Sequence, residues 1–317
     1  GAAAPEVTAV VQQVRTAEEA ERLLALWRAA EHVSLLALPD LSGLVVQCCA
    51  SEDKIIAAEL FFDRYEGDWN ALLRALFSAD VKKVSHNVKD LMRVLLENGL
   101  DTEGFVFDTA LAAYLLDATA GSYDLNRLFV TYCGAELPQP LYLETDAFSM
   151  LGDVAQAEAA FDSHTAAVDA LYGVLSKELE QRDLHELYYE IELPLCRVLA
   201  DMEHTGCRVD GQELRRFGED MAVRIAEKEQ AIYAAAGHAF NINSPKQLGA
   251  VLFEEMGIPP VKKTKSGYST NAEVLEQLRY LYPIVGDVLA YRQYAKLKST
   301  YADALLKEIG SDGRIHT

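Results

Sequence analysis

Apolar and polar positions change period twice along this 317-residue chain. Residues 8–30 begin extended and turn helical at TAEEAERLLALW, where Thr16 and Glu19 have the spacing of a capping box. Three short apolar segments follow, at 33–40, 41–50 and 54–62. Each is rich in β-branched or bulky residues and bounded by Asp, Gly, Ser or Pro, which predicts three strands joined by tight turns. Residues 68–80 carry a helical period behind Asp68, 82–87 read as a strand, and 88–99 as a helix stopped by Gly99. A strand at 104–109, an apolar helix at 109–118, and helices at 123–134 and about 154–182 complete the first part. A three-strand meander followed by alternating strand and helix predicts a mixed α/β sheet domain.

From Asp183 the period-2 signal nearly disappears. Residues 183–206 form one long helical pattern with Pro194 inside it, so a kink or break is expected there. Asp210 is placed to cap a helix of about seven turns ended by Gly237. Ser244-Pro245-x-Gln247 reads as a capping box with proline at the first helical position, and Thr270-x-x-Glu273 as another. A last helix is expected over about 282–309, with a charged loop from Pro259 to Ser269. The expected organisation is therefore an α/β domain over 1–182 and an all-α region over 183–317.

Charge divides the chain in the same way. The net charge is −20, but residues 191–317 hold 16 basic and 17 acidic residues, so nearly all the excess acid lies in the first part. From Asn241 onward there are 10 basic and 8 acidic residues, and phosphate contact is expected only there. No apolar run is long enough to span a membrane, and the first residues lack the pattern of a secretory signal. The five cysteines have no metal-ligand spacing, which points to thiols in a reducing cytoplasm.

The predicted sheet has the layout of an RNase H-like domain. Nucleases of that class hold two divalent metals with carboxylates, two of them as Asp-x-Glu on the first strand, because hard cations take oxygen ligands. Here that strand reads Ser34-Leu35-Leu36-Ala37-Leu38-Pro39-Asp40 and carries no such pair. Asp40 fits a turn. Asp90 and Asp169 sit on helices where a solvent-facing carboxylate is ordinary, and Asp108 is placed to cap the next helix.

Small donors and lysines alternate in three segments of the second part. These are Asn243, Ser244 and Lys246; Lys263, Thr264, Lys265, Ser266, Ser269 and Thr270; and Arg292, Lys296, Lys298 and Ser299. Helical spacing puts Arg292, Lys296 and Ser299 on one face. Lysines supply point charges to phosphates, and hydroxyl and amide donors position a backbone without reading bases. Spacing alone also admits plainer readings: a helix cap at Ser244, a solvated Lys-Lys-Thr-Lys loop, and ion pairs for Arg292 and Lys296. Tyr268 alone supplies an aromatic in the loop, which favours duplex contact over single-strand stacking.

The longer motifs carry a resemblance. Glu192-Leu193-Pro194-Leu195, Ala200-Asp201-Met202-Glu203, Val209-Asp210, Asn241 to Leu248, Lys262 to Thr270, and Tyr291-Arg292 with Lys296 to Tyr301 resemble the bacterial DNA polymerase I group (family A). Phe107-Asp108-Thr109, Ala113 to Leu116 and Lys83-Val84-x-His86-Asn87 resemble that family's 3′–5′ exonuclease domain more loosely. The resemblance implies an RNase H-like exonuclease domain followed by a helical thumb that grips primer–template duplex. It places the family's nuclease carboxylates at Ala37, Pro39, Leu91 and Val168, implying a domain without metals that serves as scaffold. It also sets the chain's last residues, Gly313 to Thr317, at the threshold of the palm. No catalytic centre and no cofactor are then expected in this sequence, while a parent polymerase would use Mg²⁺ in replication and repair. A monomer in the cytoplasm is expected. The alternative is a diverged, active metal-dependent 3′–5′ exonuclease using Asp40, Asp90 and Asp169.

Overall fold

The computed structural model describes residues 9–51, 54–143, 148, 152–261, 263–264 and 267–316. The chain divides into two compact units, Gly1–Thr205 and Gly206–Thr317.

In the first unit β1 (Val10–Val14) leads into α1 (Ala17–Ala29), β2 (Val33–Ala37), β3 (Gly43–Ser51) and β4 (Lys54–Phe61). Then come α2 (Trp69–Leu76), β5 (Lys83–Ser85), α3 (Val88–Glu97), β6 (Phe105–Asp108), α4 (Thr109–Leu116), α5 (Leu125–Cys133) and α6 (Val154–Gln181). Six strands form one sheet in the order β1-β4-β3-β2-β5-β6. The β2-β3-β4 meander is antiparallel, whereas β1 on β4, β5 on β2 and β6 on β5 are parallel.

Helices cover both faces of this sheet. Val33 and Leu35 of β2 pack with Leu23, Trp27, Leu72 and Leu95 of α1, α2 and α3. Leu36 packs instead with Ala112, Leu128, Phe161 and Val168 of α4, α5 and α6. A strand buried on both sides needs apolar residues in succession, which is why β2 shows no clean alternation. Cys48 is buried and its neighbour Cys49 exposed, as opposite faces of β3 require. The Thr16–Glu19 capping box forms at the start of α1.

Asp108 caps α4 through Ala110 N and Leu111 N, as its position before the helix predicts. It also accepts from Asn87 N at 3.0 Å and Val88 N at 2.8 Å, so one carboxylate starts both α3 and α4. Burial pushes its pKa up to about 6 against the pull of those four N–H groups.

Pro194 does not break its helix. A wide π-helical segment, Leu187–Glu192, precedes α7 (Leu193–Thr205) and takes up the clash of the proline ring with the preceding turn. Leu193 joins the core beneath α4 and α6, and Cys196 and Ala200 pack on Val88 and Met92 of α3. The compact division consequently falls at 205/206 and not at 182/183: burial of this face ties the whole helix to the sheet domain.

The second unit is helical apart from short ladders. β7 (Cys207–Arg208) is followed by α8 (Gly211–Ala236), α9 (Pro245–Ala250) with its π-helical continuation Val251–Glu255, and the two-residue strands β8 (Lys263–Thr264) and β9 (Gly267–Tyr268). Then come α10 (Ala272–Leu278), α11 (Pro283–Lys296), a π-helical run Leu297–Asp303, α12 (Ala304–Lys307) and β10 (Arg314–Ile315). Asp210 caps α8 and Gly237 ends it at φ 82°, as expected. Ile232 of α8 packs with Leu248, Leu252, Leu275, Val285 and Val288 in one core. A side chain at Gly218 would come within 3.2 Å of Ala302, so glycine there permits close approach of α8 to the run after α11. β8 and β9 pair antiparallel, so the expected charged loop contains a small hairpin.

Candidate nucleic-acid interface and the cleft of the first unit

The cleft at the end of β2 is lined by Ala37 and Pro39 from that strand and its exit, by Ser85, His86 and Asn87 after β5, by Asp90, Leu91 and Val94 of α3, and by Tyr142 and Leu143. Its volume is about 140 Å³. Three of the four positions that the resemblance gives to nuclease carboxylates, Ala37, Pro39 and Leu91, therefore meet in one place. Val168 does not join them: it is fully buried in the core under the sheet.

The remaining carboxylates are occupied elsewhere. Asp90 lines the cleft, mostly exposed, with Lys89 Nζ at 3.2 Å. Asp40 accepts from Ser42 N at 3.0 Å and from the Ser42 hydroxyl, a turn role. Asp169 accepts from Ser34 Oγ at 2.8 Å and lies 3.0 Å from His32 Nε2; these two bonds hold its carboxyl below the usual range against the opposing effect of burial. Among the described residues, no three His, Cys, Asp or Glu side chains gather as a metal-binding group. At the three cleft positions named by the resemblance, a methyl, a proline ring and a leucine do not ligate hard cations.

Two buried histidines serve packing. His86 is buried with Nδ1 2.8 Å from Thr109 Oγ1, and burial lowers its pKa to about 4. His164 accepts from Tyr142 N at Nδ1 and meets Pro138 O at 2.8 Å through Nε2, which fixes the Nε2–H tautomer.

In the second unit Asn243 and Lys246 are exposed and Ser244 half-buried at the start of α9. Ser244 Oγ accepts from Gln247 N at 3.4 Å, but the reciprocal half of the expected capping box is not made. Gln247 Oε1 accepts instead from Asn241 N at 2.8 Å, and Ser244 N donates to Asn241 O, closing the 241–247 turn on itself. Asn243 Nδ2 donates to the Tyr291 hydroxyl at 3.1 Å.

Lys263 and Thr264 form β8; Lys265 and Ser266 lie outside the described residues. Tyr268 leans on Phe253, ring centroids 5.2 Å apart, so it packs within the unit. Ser269 is half-buried. Thr270 is buried and is not the cap of α10: Asn271 is, accepting from Val274 N at 3.0 Å. Thr270 instead takes the guanidinium of Arg292, through its carbonyl oxygen and, at 3.3 Å, its hydroxyl.

The expected common face of Arg292, Lys296 and Ser299 is not formed. Arg292 turns inward, half-buried, while Lys296 and Ser299 are exposed, and the wider turn from Leu297 shifts the register beyond Lys296. Lys298 pairs with Asp303 at 2.7 Å. Among the members whose exposure is described, Asn243, Lys246, Lys296 and Ser299 are exposed. Sequence reasoning did not give Tyr291 a place in the site. Its signal was the apolar spacing Ile284, Val288, Tyr291, which puts its hydroxyl at the edge of the core.

Fold and cleft together define an α/β sheet domain of the exonuclease type followed in the chain by a helical unit with exposed cationic and amide positions. Residues 14–149 match the model of a 3′–5′ exonuclease family, and residues 211–317 that of DNA polymerase family A. The DNA polymerase I of Chloroflexus aurantiacus is 44% identical over 253 residues, 74% of this chain and 26% of that protein. The DNA polymerase I of Bacillus subtilis is 37% identical over 275 residues, 84% of this chain and 29% of that protein. A solved structure of the POL domain of Pol1 from M. smegmatis, in complex with DNA primer-template and dNTP, superposes with a TM-score of 0.80 at 30% identity. It is matched over 96% of this chain and 52% of its own. The chain belongs to the DNA polymerase I group of DNA polymerase family A. It spans less than a third of the length of these two curated relatives.

Proposed function

We propose that the second unit is a thumb that grips duplex DNA through the phosphate backbone, and that the first is an exonuclease-type domain without nuclease activity. The observation that supports the second part most directly is the meeting of Ala37, Pro39 and Leu91 in one cleft, where Asp90 is the one carboxylate among the described lining residues. The grip is supported by the exposed Asn243, Lys246, Lys296 and Ser299, and by the DNA complex of the similar Pol1 domain. Such contacts hold any sequence, because lysine and amide donors meet phosphates and not base edges. Lys263, Thr264, Lys265, Ser266 and Ser269 belong to the same proposed grip through the hairpin and its neighbours.

Template-directed synthesis with Mg²⁺, in replication and repair, is proposed only for a longer polypeptide of this family containing the chain. A cytoplasmic location and a monomeric state are part of the same reading. The second reading, an active exonuclease, has Asp90 in the cleft in its favour. It lacks Asp40 and Asp169, which are held by Ser42 and by Ser34 with His32.

A titration of fluorescent duplex over a series of salt concentrations tests the grip. The thumb reading expects affinity falling steeply with salt, and Lys246→Ala and Lys296→Ala each reducing the slope of log K against log salt by about 0.9. Slopes unchanged in both variants would remove these lysines from the interface.

A further inference from the structure

Two consecutive residues of α11 hold the two segments that carry most of the proposed phosphate contacts. Tyr291 is buried in the core of the second unit, and its hydroxyl accepts from Asn243 Nδ2 at 3.1 Å. Arg292 donates to the carbonyl oxygen and hydroxyl of Thr270, the residue two places after β9. The first bond anchors the turn before α9. The second anchors the base of the β8–β9 hairpin. Short-range bonds join them within each loop, Asn243 N to Asn241 Oδ1 and Asn241 N to Gln247 Oε1 in one and the two-residue ladder in the other, and Ile242 and Tyr268 pack on the core.

We infer that Tyr291 and Arg292 are positioning residues that set the two phosphate-facing loops at a fixed separation along α11. This rests on the thumb reading and reassigns Arg292 within it. A guanidinium aimed at a phosphate would be exposed. This one is half-buried, and two of its N–H groups are committed to a single threonine. The fork geometry matters here. An arginine reaches a carbonyl and a hydroxyl together, whereas a lysine offers a point charge that cannot hold both in the same plane. Neighbouring residues on a helix point about 100° apart, so 291 and 292 address loops on different sides of α11. A phosphate backbone is a rigid, repeating target. Loops held at a set spacing meet two phosphates together, and ordering them in advance lowers the entropic cost of binding.

The role of Arg292 separates cleanly from direct contact. As a phosphate ligand, Arg292→Lys keeps the charge, the salt slope and most of the affinity. As a positioning residue it loses them unequally: affinity falls about fivefold, the scale of one lost hydrogen bond, while the slope stays that of the wild type. Tyr291→Phe keeps the ring and the core and should behave in the same way.

The experiment measures duplex affinity across salt for wild type, Arg292→Lys, Tyr291→Phe and Lys246→Ala. It adds amide hydrogen exchange on the DNA-free proteins. The expected result is weaker binding at unchanged slope in the first two variants, a flatter slope in Lys246→Ala, and faster exchange at 267–272 in Arg292→Lys and at 241–247 in Tyr291→Phe. Exchange in α8 should be unaltered, which reports that the unit is folded. Arg292→Lys binding as wild type does, or exchange in the two loops unchanged, overturns the positioning role and leaves the grip standing. A wild-type chain that does not bind duplex sinks the grip, and the positioning role with it.

Discussion

Asp169 and Ser34 are joined by a 2.8 Å hydrogen bond in which the serine hydroxyl donates to the carboxylate. The bond ties α6 to the first part of β2, away from Ala37 at the strand's other end. It holds a carboxylate one residue from the expected nuclease position Val168 against β2. Its oxygen is taken by Ser34 and His32, and it opens on a different cavity, lined by His32, Gln47 and Cys49.

Asp169→Asn should therefore act on stability. The amide offers a weaker acceptor to both donors, and a loss of about 1 kcal/mol is expected at pH 7 for a half-buried group. The pH dependence has a definite sign. The folded carboxyl titrates below its ordinary value, so its contribution is present above about pH 4 and is lost as pH falls through the depressed value. Urea unfolding at pH 7 and pH 3 checks this. The gap between wild type and variant should narrow from pH 7 to pH 3, and a gap that does not narrow contradicts the assignment.

Asp162 has the opposite sign. It neighbours Glu59, itself buried on β4, and two carboxyls so placed are stable together only when one holds a proton. Burial first, then the charge of Glu59, raises its pKa to about 8. Nearby Glu158 is engaged by Arg64. The folded state binds a proton that the unfolded chain releases near pH 4, so stability should decline as pH rises from 4 to 8. Asp162→Asn keeps the shape without the charge. It should flatten that decline and raise stability at pH 8 on the order of 1 kcal/mol after screening. Thermal melts across this range decide it, and an undiminished slope in the variant counts against the shared proton.

Asp108 should be the most sensitive of the carboxylates. Its two oxygens accept from four backbone N–H groups at the starts of α3 and α4. Asp108→Asn turns an N–H toward one of those donors, and a cost of about 2–3 kcal/mol is expected for a buried cap of this kind. A variant within about 0.5 kcal/mol of wild type in denaturant unfolding would show that the N–H groups find other acceptors.

Much of this was legible in the chain because the determinants are local. Thr16 with Glu19, Asp210 with Gly237, and the change from period 2 to period 3.6 near Asp183 each depend on residues within a few positions of one another. The absence of Asp-x-Glu around Ala37 and Pro39 was likewise visible in one strand. What escaped were partnerships across the sequence. Thr270 was expected as a cap because Glu273 follows at the right spacing, yet Arg292, 22 residues away, claims it and leaves Asn271 to cap. Arg292 had the helical spacing of a surface stripe with Lys296 and Ser299, but its guanidinium turns in to Thr270, and a π-helical turn resets the register after Lys296. The reach of the first unit to Thr205 was hidden because Cys196 and Ala200 pack on α3, a contact that the helical pattern alone does not specify.

The central claim is that this chain holds DNA without cutting it. The direct measurement is digestion of a 3′-recessed duplex, 5′-labelled on the primer, with Mg²⁺ or Mn²⁺ at protein concentrations that saturate binding. The account predicts a bound primer of unchanged length. Stepwise shortening from the 3′ end that needs the metal and is abolished by Asp90→Ala would contradict it.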